Sequence, residues 1–317
     1  MRRDEQETDA GFVLTRRHAL ECMVWAGTGV LWTVSGGIPK SLGLLDTAQA
    51  AEAAQGAMTF LQISDSHIGF DKEADVTAVD TLTEAIDRIK ALPVKPAFMI
   101  HTGDITHLSK DGEFDDAARI IDSTGLKVFY VPGEHDLIDP GQGKAYLDRY
   151  GKGTLGAGWH AFDRDGVHFI GLVNVVDLKA GGLGNLGAEQ LAWLKNDLDG
   201  RSASTPIVVF AHIPLWSIYP QWGWGTDDAA QALALLRRFG SVTVLNGHIH
   251  QIMQKVEGHM VFHTARSTAF PQPQPGTADK PGPMIVPADQ LRSMLGLTSV
   301  DFTVGKERLA ITDTTLA

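Results

Sequence analysis

Five segments of the chain obey one rule: a run of apolar, strand-like residues ends, and metal-binding side chains come next. They are FLQISDSH with Asp65 and His67, AFMIHTGD with Asp104, VFYVPGEHD with Glu134, His135 and Asp136, IVVFAH with His212, and VTVLNGHIH with His248 and His250. A continuous apolar run of about 4 to 8 residues reads as a strand buried on both faces. Each polar cluster therefore sits where the chain leaves the carboxyl end of a strand, the edge on which open α/β sheets build their sites. Mn, Fe and Zn take neutral imidazole and carboxylate donors, and this set holds enough of both for two ions. The donors are those of a dinuclear metallohydrolase.

Between these segments strand and helix patterns alternate. Met58 to Ile63 reads as a strand, and Thr77 to Leu92 carries Val79, Leu82, Ile86 and Ile89 at helical spacing until Pro93 and Pro96 end it. Ala97 to His101 is the next strand, Glu113 to Ser123 a helix and Lys127 to Val131 the third strand. Right-handed crossovers make these three strands parallel neighbours. Trp159 to Phe162 and Val167 to Val176 form a hairpin around Asp165-Gly166, which starts a second sheet or an antiparallel edge of the first. Leu186 to Leu198 and Asp227 to Phe239 read as helices, Ile207 to Ala211 and Val242 to Leu245 as strands. Residues 251–268 suggest two strands around Glu257-Gly258, and residues 299–312 a last pair around Gly305-Lys306. Asp139 to Gly158, rich in glycine, and Pro271 to Pro287, with six prolines, read as irregular surface chain.

The N-terminus differs in kind. A polar, acidic stretch leads to Thr15-Arg16-Arg17-His18-Ala19-Leu20, then to mostly apolar or small residues from Cys22 to Gly37, then to Ala48-Gln49-Ala50, which fits a small-x-small cleavage site. Arg-Arg before such a run resembles a twin-arginine (Tat) export signal, although Ala19 stands where a large apolar residue is usual and Glu21 where a base is common. Residues 1–50 are thus expected to be an export signal, and residues 51–317 one domain delivered to the periplasm or exterior. The alternative is an uncleaved membrane anchor, from a run shorter than the ~20 residues a spanning helix needs. Cys22 is the single cysteine, so the mature chain is expected to hold no disulfide.

Charge narrows the partners. Five of the 27 Lys and Arg and six of the 38 Asp and Glu lie in residues 1–50, which leaves 22 against 32 and a mature chain near −10. A chain that holds polyanions carries a basic face, so polymeric nucleic acid is not expected as a partner. A small phosphate ester remains compatible, because bound metals invert the local field.

The ordered set Asp-x-His, Gly-Asp, Gly-Asn-His-Asp/Glu, His, Gly-His-x-His is the pattern that residues 58–250 resemble, that of the calcineurin-like metallophosphoesterases. The resemblance implies a two-sheet β-sandwich flanked by helices, in α-β-β-α layers. It implies that Asp65, His67 and His250 hold one divalent ion, that Asp104 bridges, and that Glu134, His212 and His248 hold the second, whether Mn, Fe or Zn. It further implies that metal-bound hydroxide attacks the phosphorus, that His135 serves as general acid or transition-state stabiliser, and that Asp136 orients His135. The expected substrate is a small organic phosphate, diester or monoester.

One position departs from the pattern: Glu134 stands where the family has Asn. Three readings stand. Glu134 replaces Asn as an equivalent ligand; or it lowers the net positive charge and favours diesters over dianionic monoesters; or it leaves a metal-binding protein without catalysis. His101 and His107 flank the Gly-Asp motif and are expected to support ligands rather than bind metal. His160, His168, His259 and His263 are expected to be structural or solvent-facing. Trp216, Tyr219, Trp222 and Trp224 crowd one loop after His212, which either rims the site or packs on the core.

Overall fold

Each of the five apolar runs becomes a strand, and these five strands sort into two sheets. The computed structural model describes residues 30–35, 38–43, 57–70, 77–306 and 308–317. It separates into two units, Met1–Gly56 and Ala57–Ala317. In the first, β1 (Val30–Ser35) and β2 (Ile38–Gly43) pair antiparallel. The twin-arginine pair and the expected cleavage site lie outside the described residues. Among the described residues no helix is long and apolar enough to cross a membrane.

In the second unit the first sheet contains β3 (Ala57–Ile63), β4 (Met99–His101), β5 (Val128–Tyr130), β12 (Gly296–Thr303) and β13 (Ala310–Thr315), in the order β13-β12-β3-β4-β5. β3, β4 and β5 are parallel, with Ile63 opposite His101 and His101 opposite Tyr130. Helices α1 (Ala78–Lys90) and α2 (Asp111–Asp122) supply the crossovers. Thr77 opens α1 as a reciprocal cap: its hydroxyl accepts the Asp80 amide at 3.2 Å while the Asp80 carboxylate accepts the Thr77 amide at 3.0 Å.

The second sheet runs β10 (Gln254–Glu257), β11 (Met260–Thr264), β9 (Val242–Asn246), β8 (Ile207–Ala211), β7 (Val167–Gly171), β6 (His160–Arg164). The hairpin from β6 to β7 belongs to this sheet and turns on Asp165 (φ 49°) and Gly166 (φ 82°), two positive values that match the right-handed twist of the flanking strands. Helices α4 (Ala188–Leu198) and α5 (Ala229–Leu236) cover its outer face.

The side-chain period of two builds the layers. Leu61, Ile63 and Met99 face α1 and α2, with Leu82, Ile86 and Phe114. Their alternates Phe60, Phe98 and Ile100 meet Phe169, Val208, Phe210 and Leu245 between the sheets. Ile170, Val209 and Val244 face α4 and α5. The result is the α-β-β-α sandwich expected above.

One segment read as irregular holds more structure than its composition suggests. Within residues 139–158 lies α3 (Lys144–Tyr150), with Tyr146 fully buried and Tyr150 stacked on Tyr130 at 4.1 Å. A seven-residue helix is marginal alone, so tertiary burial of Tyr146 sustains it against the flanking glycines. After the proline-rich stretch, α6 (Ala288–Met294) inserts Leu291 into the first sheet's outer core.

Candidate metal centre

All five polar clusters emerge at the carboxyl ends of their strands, three from the first sheet (β3, β4, β5) and two from the second (β8, β9). The loops brace one another. Asp65 N donates to Gly103 O at 3.0 Å and His67 N to Asp104 O at 2.9 Å. His248 N donates to Asp65 Oδ1 at 3.0 Å and His135 N to Asp104 Oδ1 at 3.0 Å. Asp65, His67, Asp104, His248 and His250 all have φ between 40° and 71°. Such left-handed backbone costs on the order of 1–3 kcal/mol at each non-glycine residue, and it persists where surrounding contacts over-determine it. Two glycines make room: a Cβ on Gly133 would overlap the Asp104 amide and carboxylate, and one on Gly247 the Ser64 hydroxyl and Asp65 carboxylate.

The donor atoms gather as two groups. Asp65, His67 and His250 form one, with His250 Nε2 at 3.3 Å from Asp65 Oδ1 and 3.3 Å from His67 Nε2. Glu134, His212 and His248 form the other, with Glu134 Oε1 at 3.0 Å from His248 Nδ1 and Glu134 Oε2 at 3.0 Å from His212 Nε2. Asp104 stands between them: its Oδ2 is 3.4 Å from His67 Nε2 and 3.4 Å from His212 Nε2. These are the two sets that the family resemblance assigns to two ions, meeting at the carboxylate it assigns as the bridge.

Backbone carbonyls choose the imidazole tautomers. His212 Nδ1 donates to Thr102 O at 2.7 Å, His250 Nδ1 to Phe270 O at 2.6 Å and His135 Nδ1 to His107 O at 2.8 Å. A proton held at Nδ1 leaves Nε2 as the lone pair of the neutral ring, the form that binds a metal. Glu134 Oε2 is buried and has no hydrogen bond: His212 Nε2 is near enough but badly angled. With that nitrogen deprotonated, its lone pair and the Glu134 carboxylate converge, an arrangement that fits a shared cation.

Electrostatics agree. Burial opposes charge on Asp65, yet His250, His212 and Ser64 hold its pKa at about 2. Burial likewise opposes charge on Glu134, and His248 with His212 holds it well below the usual carboxylate range. His212 is the reverse case: burial disfavours its proton, but Asp104 and Glu134 raise its pKa well above the ordinary histidine value. A proton there balances the carboxylates that a cation would otherwise neutralise, so metal uptake would release it. His67 stays neutral, its pKa driven well below normal by burial and by His250, His135 and His107.

His135 borders the cluster and is partly exposed. Burial works against its proton, while Asp104 and Glu134 outweigh that and raise its pKa. Asp136 does not orient it. Its carboxylate accepts Gly133 N (2.9 Å), Ile105 N (3.1 Å), Thr106 N (2.9 Å) and Thr106 Oγ1 (3.0 Å), so it pins the loops that carry Asp104 and Glu134; His135 is oriented instead by the His107 carbonyl. Burial and Asp104 push the Asp136 carboxyl up to about 7 against these donors. His101 accepts Gly103 N at Nδ1 and meets Ser66 Oγ at Nε2, away from the donor groups. His168 bridges Asp163 and Asp197, and His263 pairs with Asp313, both as structural groups.

A cleft of about 280 Å³ opens over Glu134, His135 and His248. Trp222 and Trp224 line it while packing on Ile249, so the aromatic loop is both rim and core. The opposite wall is Pro281-Gly282, from the proline-rich stretch. Gln272 ties that stretch down: its Nε2 donates to His248 O at 2.9 Å and its Oε1 accepts Gly282 N at 3.2 Å. No residue type in this stretch marks it as part of a site. Its only signal was a long irregular segment so rich in proline that folding must hold it for a reason.

Comparison with known proteins places these observations. Over 242 residues the chain is 26% identical to a cAMP/cGMP dual specificity phosphodiesterase of Mycobacterium tuberculosis, covering 71% of each. It is 26% identical over 225 residues to a serine/threonine-protein phosphatase of Danio rerio, covering 64% of this chain and 69% of the other. A dimetal phosphatase structure from Danio rerio shares the fold, with a TM-score of 0.54 at 15% identity over 82% of this chain and 98% of that one. Residues 58–252 match the calcineurin-like phosphoesterases, and the chain belongs to that family.

Proposed function

We propose that the chain is an exported, metal-dependent hydrolase of small organic phosphate esters, working with two divalent ions and accepting diesters ahead of monoesters. One observation carries this reading: two donor groups, each with a carboxylate and two imidazoles, meet at the single carboxylate of Asp104. Asp65, His67 and His250 would hold one ion and Glu134, His212 and His248 the other. When bound, two such ions place positive charge on phosphoryl oxygens and acidify water.

The chain's own residues do the rest. The carbonyls of Thr102 and Phe270 keep His212 and His250 in the ligand tautomer. His135, anchored at Nδ1, presents Nε2 to the leaving oxygen and gives it a proton. Asp104 and Glu134 raise the pKa of that imidazole and so favour its protonated form. Trp222, Trp224, Pro281 and Gly282 shape the room for the ester arm beyond the phosphorus. Glu134 contributes a charge the family's Asn lacks, which favours the monoanionic diester.

Purified mature protein, stripped of ions and reloaded with Mn, Fe or Zn, is expected to hydrolyse bis-p-nitrophenyl phosphate faster than p-nitrophenyl phosphate and to lose both activities on chelation. Absence of turnover in a sample that contains two ions would instead support the non-catalytic metal-binding reading. Export is tested separately: replacing Arg16 and Arg17 with Lys is expected to keep the protein out of the periplasm.

A further inference from the structure

We propose that His107 is a positioning residue that sets two site imidazoles at once, His67 through its ring and His135 through its carbonyl; this rests on the two-ion reading above. The pattern of ligands does not include His107. In the fold, the chain after Asp104 runs beside the chain after Asp65 as a short parallel ladder. Ile68 N donates to Ile105 O at 3.0 Å, and His107 N donates to Ile68 O at 2.9 Å. The ladder fixes the His107 backbone on both sides, so its carbonyl meets His135 Nδ1 at 2.8 Å without help from the side chain.

The ring then has separate work. His107 Nδ1 lies 3.4 Å from His67 Nδ1. His67 Nε2 faces His250 Nε2 and Asp104 Oδ2, the side on which an ion would sit. For Nε2 to offer a lone pair, the proton of neutral His67 must be at Nδ1, and His107 Nδ1 is placed to accept it. Thr102, Phe270 and His107 O give His212, His250 and His135 a carbonyl for this purpose. His67 has a ring nitrogen instead. The His107 ring is itself held, stacked on His135 at 4.9 Å and 16° and edge-on to Phe70 at 5.2 Å. Second partners of this kind typically govern ten- to hundredfold in metal affinity.

The test titrates Mn²⁺ alone into ion-free protein. His107→Phe keeps the ring volume and the stacking but removes the acceptor; His107→Asn places an amide oxygen near the lost Nδ1. The Phe variant is expected to bind one of the two ions ten- to hundredfold more weakly and the other normally, while Asn restores affinity to within about threefold. In both, the alkaline limb of the pH–rate profile, set by the general acid His135, stays in place, because the carbonyl that holds His135 remains. Wild-type affinity in the Phe variant, or equal losses in Phe and Asn, overturns the inference and leaves the two-ion reading standing. A wild-type chain that takes up no Mn²⁺ removes both. A variant-free check uses ¹⁵N-labelled histidine in the Zn²⁺-loaded wild type: His67 is expected to carry its proton at Nδ1 and His107 at Nε2, and a proton on His107 Nδ1 refutes the assignment.

Discussion

Glu134 is the residue whose charge and whose length make different predictions. In the proposed two-ion centre, four positive charges would stand against the carboxylates of Asp65, Asp104 and Glu134, leaving one; replacing Glu134 by a neutral residue would leave two. A monoester dianion carries one more negative charge than a diester, so removing Glu134's charge should favour the monoester by one extra charge–charge interaction. Glu134 Oε1 and Oε2 lie 3.0 Å from His248 and His212, beside the ion position and at the floor of the cleft. At about 5 Å from a bound phosphate, that interaction is worth ~3 kcal/mol at an effective dielectric of 20 and ~1 kcal/mol in water. The Glu134 side chain is 27% exposed, which places it between these limits and predicts a shift of about 10- to 100-fold in the monoester-to-diester ratio of kcat/KM. The assay compares p-nitrophenyl phosphate with its bis-ester for Glu134→Gln, Glu134→Asn and Glu134→Asp, each with its ion content measured. Gln and Asn should both raise the ratio, and Asp should not. An unchanged ratio in a Gln variant that still holds two ions, or an Asp variant that shifts as far as Gln, would refute the charge argument.

Further outcomes follow from packing and protonation. His101 is fully buried and burial lowers its pKa to about 3, so its contribution to stability is complete above the unfolded value of 6.5 and is lost as pH falls from there toward 3. Linkage gives about 2 kcal/mol lost by pH 5. Because His135 and His212 shift the other way, the measurement is the difference in urea midpoints between wild type and His101→Gln across pH 7 to 5; parallel curves would contradict it. Tyr146→Ala should cost about 3–5 kcal/mol in urea unfolding, since it empties a fully buried aromatic position, and a cost below ~1 kcal/mol would show that α3 does not depend on it. Mn²⁺ at a hundred times its Kd should stabilise ion-free protein by about 2.7 kcal/mol per site, reversibly with chelator. No change in midpoint would mean that the donor groups do not form an ion site in the folded chain.

The positions proposed as ligands are legible because the signals for them are local. A run such as Ile207–Ala211 declares a buried strand through residue type alone, and His212 follows it immediately. The Asp165-Gly166 turn and the Thr77–Asp80 cap are likewise readable, since each is settled within four residues. Helix α3 was not, because its seven residues sit among glycines and are stabilised by burial of Tyr146 rather than by propensity. The proline-rich wall was not, because nothing in Pro271–Pro287 reveals that Gln272 fastens it to the His248 carbonyl.

By itself, then, the sequence determined which side chains are available and that each stands at the carboxyl end of a strand. Tertiary structure decided how they meet. It divides the five segments between two sheets, brings the Thr102 carbonyl to His212 across 110 residues and the Asp65 carboxylate to the His248 amide across 183, and holds five of the proposed ligand residues in left-handed backbone. It also moves Asp136 from the imidazole to the loop amides and gives His135 to the His107 carbonyl. The physical reason is range: side-chain periodicity is written in neighbours along the chain, whereas tautomer, protonation and strain depend on partners that only the packed sandwich brings within hydrogen-bond reach.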